Sequence, residues 1–401
     1  MTVFLLVLAA VAAGFAGWRA VRRTRFFLHL FQLETYKLDR YRRWLGAHRS
    51  ILLRGSHMAG GLLLSLGVAV SNVLPVAWVM AGVLPLWALA FISSKRYRSN
   101  REKKPLAFTA RMTRLAVATG LFALLPILVG TVLGVRVGSP AGYMALLLGF
   151  LVTDLGAPLW VALGALLMSP VETAIQNGFK RQARQTLAAR PDLTVIGITG
   201  SYGKTSTKFI LAELLRQKYN VLATPSSYNT PMGICLVVNE KLRPEHQMLV
   251  LEMGMRYRGD IEELCAIAPP DLSIVTTVGI AHLDTMGTIE NIAREKGDIL
   301  EYMKPGGDAV LNIDNEYVAQ MPERASGPLH TVSVQGNENA DIRARNIRYD
   351  TTGTHFEVVT DDGDAASFHT SLLGVHNVLN VLLAVATGRA LGLRLRQMAH
   401  A

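Results

Sequence analysis

The sequence predicts an α/β protein in two parts: an N-terminal bundle of transmembrane helices, then a domain with a parallel sheet and a phosphate-binding loop. Three observations predict this. Long apolar runs are confined to residues 1–170. Short β-rich runs alternate with amphipathic segments in residues 192–401. The glycine-rich stretch GITGSYGKTSTK, at 197–208, follows the first β-rich run and leads into a predicted helix.

The two parts differ in charge. Of the 401 residues, 50% are hydrophobic and only 18% are charged, which is apolar for a soluble protein. Residues 1–190 carry 23 Lys and Arg against 5 Asp and Glu, whereas residues 191–401 carry 18 against 25. The basic residues of the first part lie in clusters between apolar runs, as in loops that flank membrane spans. We therefore expect a membrane partner and no nucleic acid.

Five apolar runs in the first part approach or exceed the roughly 20 residues that a helix needs to cross a bilayer. They lie at 3–18, 58–73, 76–93, 113–135 and 141–168. Only SNVLP separates the second run from the third, so a re-entrant pair is an alternative for these two. The sequence thus predicts about five membrane helices.

Basic residues predict the orientation of these spans. The loops at 20–56 and 94–112 hold nine and seven Lys and Arg residues, and no basic residue precedes the first run. The missing basic amino end argues against a secretory signal peptide. The positive-inside rule then places the N-terminus outside a bacterial cytoplasmic membrane and the second part in the cytosol.

Polar groups occur near the end of the membrane part. Asp154 is the one carboxylate in the fifth run, and Gly156 and Pro158 predict a helix break or an end near the interface, which we favour over a transport role. Residues 171–191 predict a basic linker helix on the membrane surface. Four of its side chains are expected to contact anionic headgroups: Lys180, Arg181, Arg184 and Arg190.

The second part, 192–401, predicts a parallel sheet flanked by helices. The predicted strands are LTVIGIT, QMLVLEMG, DLSIVTTVG and DAVLNI, and the predicted helices lie at 204–217, 259–267, 289–303 and 377–391. After residue 340, the runs RNIRYD, THFEVVT and ASFHTSL are separated by TTGT and DDGD turns. They predict an antiparallel extension of the sheet.

The glycine-rich stretch predicts a nucleotide site. Gly200 and Gly203 allow a tight turn whose N–H groups, with those of the following helix, face a polyphosphate. Lys204 would add a positive charge at the outer phosphates, and the Thr205 hydroxyl would bind Mg²⁺. The other loop residues expected at the nucleotide are Ser201, Tyr202 and Ser206.

This loop resembles the T-G-x-x-G-K-[TS] loop of the Mur ligases, the ATP-dependent amide-forming enzymes of peptidoglycan precursor synthesis. Other segments resemble that family in the same order, over about 195–392: TPSSYNTPMGI, LEMGM, GIAHLDTMGT, IAREKGDIL, LNIDN and GVHNVLNVLLAVA. The segment TPSSYNTPMGI resembles the substrate-side loop of the branch of the family that adds D-alanyl-D-alanine. The resemblance implies ATP and two Mg²⁺ ions as cofactors.

The resemblance also implies roles for individual residues. Lys204, His282 and Lys296 would be catalytic, with Lys296 carbamylated as in many members. The implied metal ligands are Thr205, Glu252, His282 and Lys296. The implied nucleotide contacts are Gly200, Ser201, Tyr202, Gly203, Lys204, Thr205, Ser206, Asn312, Asp314, Asn377 and Asn380. Asn229 and Thr230 would approach the acceptor substrate.

Several of these residues have purely structural alternatives. Glu252 could pair with Arg256 or Arg258, and His282 could be a structural histidine. Lys296 could be a solvated helix lysine, and Asn377 could cap the last helix. His376 is expected to be structural.

The expected function is ADP-forming ligation of a carboxylate to an amine. Its partners would be a nucleotide-linked or lipid-linked cell-wall precursor and an amino acid or dipeptide. The usual N-terminal domain of the family is not recognisable, and 401 residues leave no room for the usual C-terminal ligase domain, so a separate polypeptide could supply it. The alternatives are a poly-γ-glutamate synthase-like ligase, a transport ATPase and a non-catalytic scaffold.

Overall fold

The computed structural model describes residues 2–52, 55–70, 82, 85–86, 105–137, 140–226 and 228–400. The chain divides into two compact units, Met1–Ala174 and Ile175–Ala401. Most of the apolar run predicted at 76–93 and the basic segment 95–104 lie outside the described residues.

The described part of unit 1 is helical. Its helices are α1 (Thr2–Leu33), α2 (Leu38–Ala47), α3 (Gly55–Val70), α4 (Ala110–Val137), α5 (Pro140–Leu155) and α6 (Ala157–Ala188), the last of which continues into unit 2. Among the described residues, two stretches are long and apolar enough to cross a bilayer by length and composition: Ala110–Arg136 and Ala157–Ala188. The bundle of about five spans therefore stays a prediction.

The apolar run at 141–168 is shared by two helices, α5 and α6, and its membrane span stays a prediction. The helix breaks between α5 and α6 at Gly156, where a Cβ atom would lie 2.5 Å from the Trp160 ring. The break itself agrees with the turn residues in the sequence. In contrast, Pro170 does not end a helix, and α6 runs through it to Ala188. A separate linker helix beginning at 171 is therefore not formed.

Asp154 lies in a buried cluster of charged groups within unit 1. Its Oδ2 accepts from Arg19 Nε at 3.0 Å and lies 2.7 Å from His57 Nε2. Arg23 Nη1 is 3.1 Å from the same His57 nitrogen, and its Nη2 donates to the Leu52 carbonyl. Asp154 is thus neutralised inside the unit.

Helices α4 and α5 pack with close backbone contact. A Cβ atom at Gly130 would lie 2.5 Å from the Ala145 carbonyl oxygen, and one at Gly149 would lie 2.5 Å from that of Pro126. Small residues at such contacts are typical of helix pairs in membranes. The outer surface of α4 is apolar, with Leu121, Leu124, Leu125, Leu128 and Leu133 exposed.

Unit 2 is built on one nine-stranded sheet. Its strands are β1 (Thr194–Thr199), β2 (Val221–Ala223), β3 (Met248–Glu252), β4 (Leu272–Val275), β5 (Asp308–Asn312), β6 (Leu329–Ser333), β7 (Ile342–Asp350), β8 (Gly353–Thr360) and β9 (Ala365–Thr370). Their order is β2-β3-β1-β4-β5-β6-β7-β8-β9. Pairing is parallel from β2 to β7 and antiparallel from β7 to β9, which confirms the predicted parallel sheet and antiparallel extension.

Helices cover both faces of this sheet because strand residues alternate between two apolar cores. The helices of unit 2 are α7 (Lys204–Arg216), α8 (Pro231–Leu236), α9 (Asp260–Ile267), α10 (Leu283–Met286), α11 (Ile289–Glu301), α12 (Val375–Ala390) and α13 (Leu395–Ala399). Val250 and Ile274 pack with α7 and α12, whereas Leu249 and Val275 pack with α9 and α11.

The basic residues expected at lipid headgroups mostly contact protein groups of unit 2. Lys180 pairs with Glu263 at 2.5 Å, and Arg184 Nε donates to the Ala266 carbonyl at 2.8 Å. Arg190 pairs with Asp192 and donates to the His246 carbonyl. Arg181 is exposed. The sequence showed the charge of these side chains but not the partners, which lie far along the chain.

Candidate nucleotide and metal site

The site lies at the carboxyl edge of the parallel strands. Strand β1 lies between β3 and β4, and its last residue, Thr199, leads directly into the loop 200–203 and helix α7. In a parallel sheet, ligands bind outside the carboxyl ends of the strands. The chain segments that follow β1, β3 and β4 therefore carry the candidate residues.

Two glycines are required by the loop's shape. Gly203 has φ +82°, in the left-handed region, and a Cβ atom there would collide with Asn380 Oδ1. Gly200 has φ +150°, and a Cβ atom there would collide with Thr276 Oγ1. Side chains at either position would displace these neighbours or strain the backbone.

The rest of the loop is held by the segment after β4. The Ser201 N–H donates to the Thr277 carbonyl at 2.7 Å, and the Ser201 hydroxyl accepts from the Gly279 N–H at 2.9 Å. Tyr202 is exposed, with 57% of its surface accessible, and Ser206 lies half-buried in the first turn of α7. Hydrogen bonds between Ser201 and the segment after β4 therefore hold the loop in place.

Lys204 is the first residue of α7. Its ammonium donates to the Gly200 carbonyl at 2.7 Å, so that its charge lies over the loop. Burial lowers the pKa of Lys204, while the nearby charge of Glu252 acts in the opposite direction. The N-terminus of α7 adds free N–H groups and a partial positive charge. This arrangement suits a polyphosphate.

Glu252, the last residue of β3, is buried with 2% of its surface exposed. Its Oε2 accepts from the Thr205 hydroxyl at 2.8 Å and from Lys208 Nζ at 3.1 Å. Its Oε1 accepts from Asn229 Nδ2 at 3.0 Å. The two carboxylate oxygens thus face side chains of α7 and of the segment after β2.

The alternative pairing of Glu252 with an arginine is wrong. Its cation among the described residues is Lys208, and Arg258 instead donates to Asn291 Oδ1 at 2.6 Å. The sequence analysis assigned no role to Lys208. The stretch GKTSTK does indicate this contact. Residues four apart lie on the same face of a helix, so Lys208 faces the same side of α7 as Lys204, one turn later.

His282 follows β4 and precedes α10. It adopts a left-handed backbone, with φ +69°, and its side chain is exposed. Partial burial and then the charges of Lys296 and Lys204 lower its pKa. The imidazole is therefore neutral at pH 7 and has the form that binds metal ions.

Lys296 lies on α11 with only 2% of its surface exposed, so the solvated-lysine alternative is wrong. Burial, and next the charge of Lys204, lower the pKa of its ammonium to about 7. The lowered pKa favours the neutral amine near neutral pH. A neutral lysine amine is nucleophilic, which is what carbamylation requires.

An open cavity of about 570 Å³ adjoins the loop. Its lining residues are Tyr202, Gly203, Thr277, Val278, Asn315, His376, Leu379 and Asn380. Asn380 is buried, accepts from the Thr207 hydroxyl at 3.2 Å and donates to Asn377 Oδ1 at 3.2 Å. Asn377 does not cap α12, whose N-cap is Gly374, but donates backwards to the Leu373 carbonyl.

Asn312 and Asp314 serve the sheet in this structure. Asn312 Nδ2 donates to the Thr276 carbonyl at 3.0 Å. Asp314 accepts from the Ser333 hydroxyl and from two backbone N–H groups after β6. Asn315, which was not predicted, lines the cavity instead and bonds both the N–H and the carbonyl of Val278. A role of Asn312 and Asp314 at the nucleotide stays a prediction.

The two predicted substrate residues differ in their contacts. Asn229 binds Glu252, as described above, and its carbonyl accepts from the Gly254 N–H at 2.9 Å. Thr230 is the N-cap of α8, and its hydroxyl accepts from the Gly233 N–H at 3.3 Å. Thr230 therefore has a structural role.

The donor set fits magnesium in type. The described residues contain no group of three or more His, Cys, Asp and Glu side chains arranged around one point. Mg²⁺ is usually held by one or two protein oxygens, waters and phosphate oxygens rather than by an all-protein cage. The adjacent hydroxyl of Thr205 and carboxylate of Glu252 match that pattern.

Comparison with known proteins shows what unit 2 is similar to. Residues 198–388 match the model of the Mur ligase middle domain. The chain is 34% identical over 208 residues to the UDP-N-acetylmuramoyl-tripeptide--D-alanyl-D-alanine ligase of Synechocystis, and 33% identical over 200 residues to that of Bacillus subtilis. These matches span 51% and 50% of this chain but only 42% of each relative.

Solved structures agree. MurF from Acinetobacter baumannii has a TM-score of 0.53 and 29% identity, over 56% of this chain and 49% of that one. MurF ligase from Thermotoga maritima, in complex with ADP, has a TM-score of 0.51 and 31% identity, over 56% and 52%. Over residues 198–388, the chain is therefore similar in sequence and in fold to the middle domain of the Mur ligases.

Proposed function

We propose that this protein is an ATP-dependent, ADP-forming ligase that joins a carboxylate to an amine. The observation that carries the proposal is the meeting of Thr205, Glu252 and Lys204 at the carboxyl edge of the sheet, with His282 and a buried Lys296 near Lys204. Relatives that share about 200 residues with this chain are named as ligases of this kind.

The chemistry explains the need for such a site. A carboxylate does not react with an amine in water, so it first attacks the γ-phosphate of ATP to give an acyl phosphate and ADP. The amine then attacks the acyl carbon, phosphate leaves with the bonding electrons, and the amine loses a proton. Both steps bring anions together, and bound Mg²⁺ would offset their repulsion.

The chain's own residues would divide this work. Lys204 and the N-terminus of α7 bind the outer phosphates. Thr205, Glu252 and His282 would hold Mg²⁺, and two ions are proposed. Lys296 would add CO₂ to its neutral amine and lose one proton, which turns a cation into an anionic oxygen ligand. Its pKa of about 7 favours this conversion at neutral pH.

The nucleotide would lie with its base towards the cavity beside the loop. Asn380 and Asn315 present polar groups there, next to the apolar side chain of Leu379. Asn377 supports Asn380 by a hydrogen bond. Asn312 and Asp314, whose bonds are used within the sheet, would act only through the position of Asn315.

The proposed substrates follow from the relatives' names. We assign a muramoyl-tripeptide precursor, linked to a nucleotide or a lipid, as the carboxylate and D-alanyl-D-alanine as the amine. Asn229 would approach the acceptor, and its Nδ2 donates to the Glu252 carboxylate at the site. The relatives are longer than the region that they share with this chain.

We further propose that unit 1 anchors the protein in the bacterial cytoplasmic membrane, with several spans, the N-terminus outside and unit 2 in the cytosol. The exposed leucines of α4 and the close glycine contacts between α4 and α5 support a lipid environment. Labelling of a cysteine placed near residue 2 by a membrane-impermeant reagent in intact cells tests the orientation. Protection from the reagent would contradict it.

The catalytic proposal is tested with full-length protein in detergent. ADP release is measured with ATP, Mg²⁺, the UDP-muramoyl-tripeptide and D-alanyl-D-alanine, with and without a co-expressed C-terminal ligase domain. We expect ADP release that needs both substrates and is lost in Lys204→Ala. Turnover that ignores the amine, or none under either condition, would reject the ligase assignment.

A further inference from the structure

Lys208 is a buried cation in the site that the proposed chemistry leaves without a role. It lies one helical turn after Lys204 on α7, so both lysines lie on the helix face towards Glu252. Its side chain is fully buried, whereas Lys204 reaches the loop. The two lysines therefore have different tasks.

The ammonium of Lys208 joins two segments that follow different strands. It donates to Glu252 Oε2 at 3.1 Å, at the end of β3, and to the Ser226 carbonyl at 2.5 Å, after β2. It also lies 4.5 Å from the centre of the Phe209 ring. These contacts surround the ammonium with protein groups, which excludes a direct role at a substrate.

The segment that Lys208 holds has an uncommon backbone. Ser226 has φ +47°, in the left-handed region that non-glycine residues rarely adopt. Such a conformation persists only where the surroundings fix it. The bond from Lys208 to the Ser226 carbonyl supplies one such constraint, and three residues later Asn229 binds the other oxygen of Glu252.

The negative charge of Glu252 is in turn balanced by its bonded cation, Lys208. The Thr205 hydroxyl and the Asn229 amide are neutral donors, and the carboxylate is 2% exposed. A buried carboxylate that loses its cation is strongly destabilised where it lies. Without Lys208, Glu252 would leave the position in which its Oε2 faces Thr205.

We propose that Lys208 is a positioning residue that fixes Glu252 and the backbone at Ser226 in one arrangement, with Asn229 beside them, and thereby sets the affinity of the phosphate loop for Mg²⁺ and nucleotide. This inference rests on the proposed function. It adds a link between the nucleotide loop and the segment that carries Asn229. Partners that orient a metal ligand commonly change metal affinity or activity by about 10- to 100-fold when removed.

The first experiment compares full-length variants in detergent. Binding of ADP is measured by calorimetry over a range of Mg²⁺ concentrations. In Lys208→Met we expect the half-saturating Mg²⁺ concentration to rise about tenfold or more. Lys208→Arg keeps the charge and should recover part of the loss. Lys241→Met removes an exposed lysine from the same unit and should match the wild type.

The second experiment needs no nucleotide. Amide hydrogen exchange is measured in the segment 224–230 and in strand β4. Lys208→Met should speed exchange in the segment about tenfold and leave β4 unchanged, because only local opening is affected. A general loss of stability would instead speed both. Lys208→Gln, which keeps a donor for Ser226 but loses the charge, replaces Lys208→Met if that variant does not fold.

The outcomes separate the two proposals. If the wild type binds ADP and Lys208→Met binds it with the same Mg²⁺ dependence, the positioning role is wrong. If the wild type binds no ADP, the proposed function fails, and the exchange rates at 224–230 still decide whether Lys208 holds this segment. Equal exchange there in wild type and variant would overturn the inference.

Discussion

Each unit of the protein buries one carboxylate against cations, and the two clusters differ in their access. In unit 2, both oxygens of Glu252 are bonded, and its partners lie on α7 and after β2, next to the phosphate loop that opens on a cavity. In unit 1, Arg19 and His57 share one oxygen of Asp154, while its Oδ1 is buried and has no hydrogen-bond partner in the described part of the chain.

The difference shows what a buried charge says about function. Burying a carboxylate is costly in both places, and in both a cation offsets the cost. Only Glu252 lies at the carboxyl edge of a parallel sheet, where a ligand could reach its neighbours. Burial alone therefore marks a structural need, and access to a ligand separates the candidate site from the helix cluster.

The largest expected effect comes from neutralising each carboxylate in turn. Glu252→Gln and Asp154→Asn should each lower the free energy of unfolding of their own unit by about 3 kcal/mol, because each leaves buried cations without a counter-charge. Glu252→Gln should also weaken Mg²⁺-dependent ADP binding about 10- to 100-fold. Unfolding is followed by pulse proteolysis, which reports each unit by its fragments. If Asp154→Asn also lost ADP binding, the proposed difference between a ligand site at Glu252 and a structural cluster at Asp154 would be wrong.

A smaller effect concerns the pH dependence of unit 2. The pKa of Lys296 is about 7 in the folded protein and about 10.5 when unperturbed, so the unfolded chain binds the extra proton between these values. Stability should therefore rise with pH from 7, by about 2 kcal/mol at pH 8.5 in CO₂-free buffer. Lys296→Met should lose this slope, and Lys241→Met should keep it. Equal slopes in all three proteins would contradict the burial argument.

A more modest difference in ADP affinity is expected between variants of Asp314 and Asn380. Asp314→Ala loses three hydrogen bonds at the end of β6 and should cost about 2 kcal/mol without changing ADP affinity. Asn380→Ala should cost a similar amount and also weaken ADP binding, because Asn380 contacts the loop. Calorimetry and chemical unfolding check both. If Asp314→Ala binds ADP more weakly than the wild type, Asp314 contributes to the nucleotide site as the sequence analysis predicted.

The smallest expected effect is at the N-cap of α8. Thr230→Ala should lower stability by about 1 kcal/mol, and Thr230→Ser should restore it, since both hydroxyls can accept from the Gly233 N–H. The KM for D-alanyl-D-alanine should stay the same in both variants. A higher KM in Thr230→Ala with normal stability would show that Thr230 contacts the acceptor.

The sequence predicts the sheet of unit 2 well because strand and turn residues alternate clearly there. The position of Gly200, Gly203 and Lys204 follows from the same local pattern. What the sequence does not predict is which side chains meet across distance. The Lys208 ammonium bonds Glu252, which lies 44 residues later in the chain. Lys180, which was expected at lipid headgroups, pairs with Glu263.

Contacts distant in sequence explain two further differences. Asn312 and Asp314 bond groups on neighbouring strands, and the local sequence does not show those partners. The continuation of α6 through Pro170 depends on packing, which overrides the local signal. Parts of the membrane prediction, including most of 76–93, fall outside the described residues.

One contact in the phosphate loop bears on how the protein is made. Gly203 is packed against Asn380, which belongs to the helix α12 near the end of unit 2. During synthesis on the ribosome, the loop emerges 177 residues before this partner, so it must wait for the rest of the sheet before it takes its final shape. A nascent chain stalled before α12 should therefore be unable to retain ADP, however complete its glycine-rich stretch.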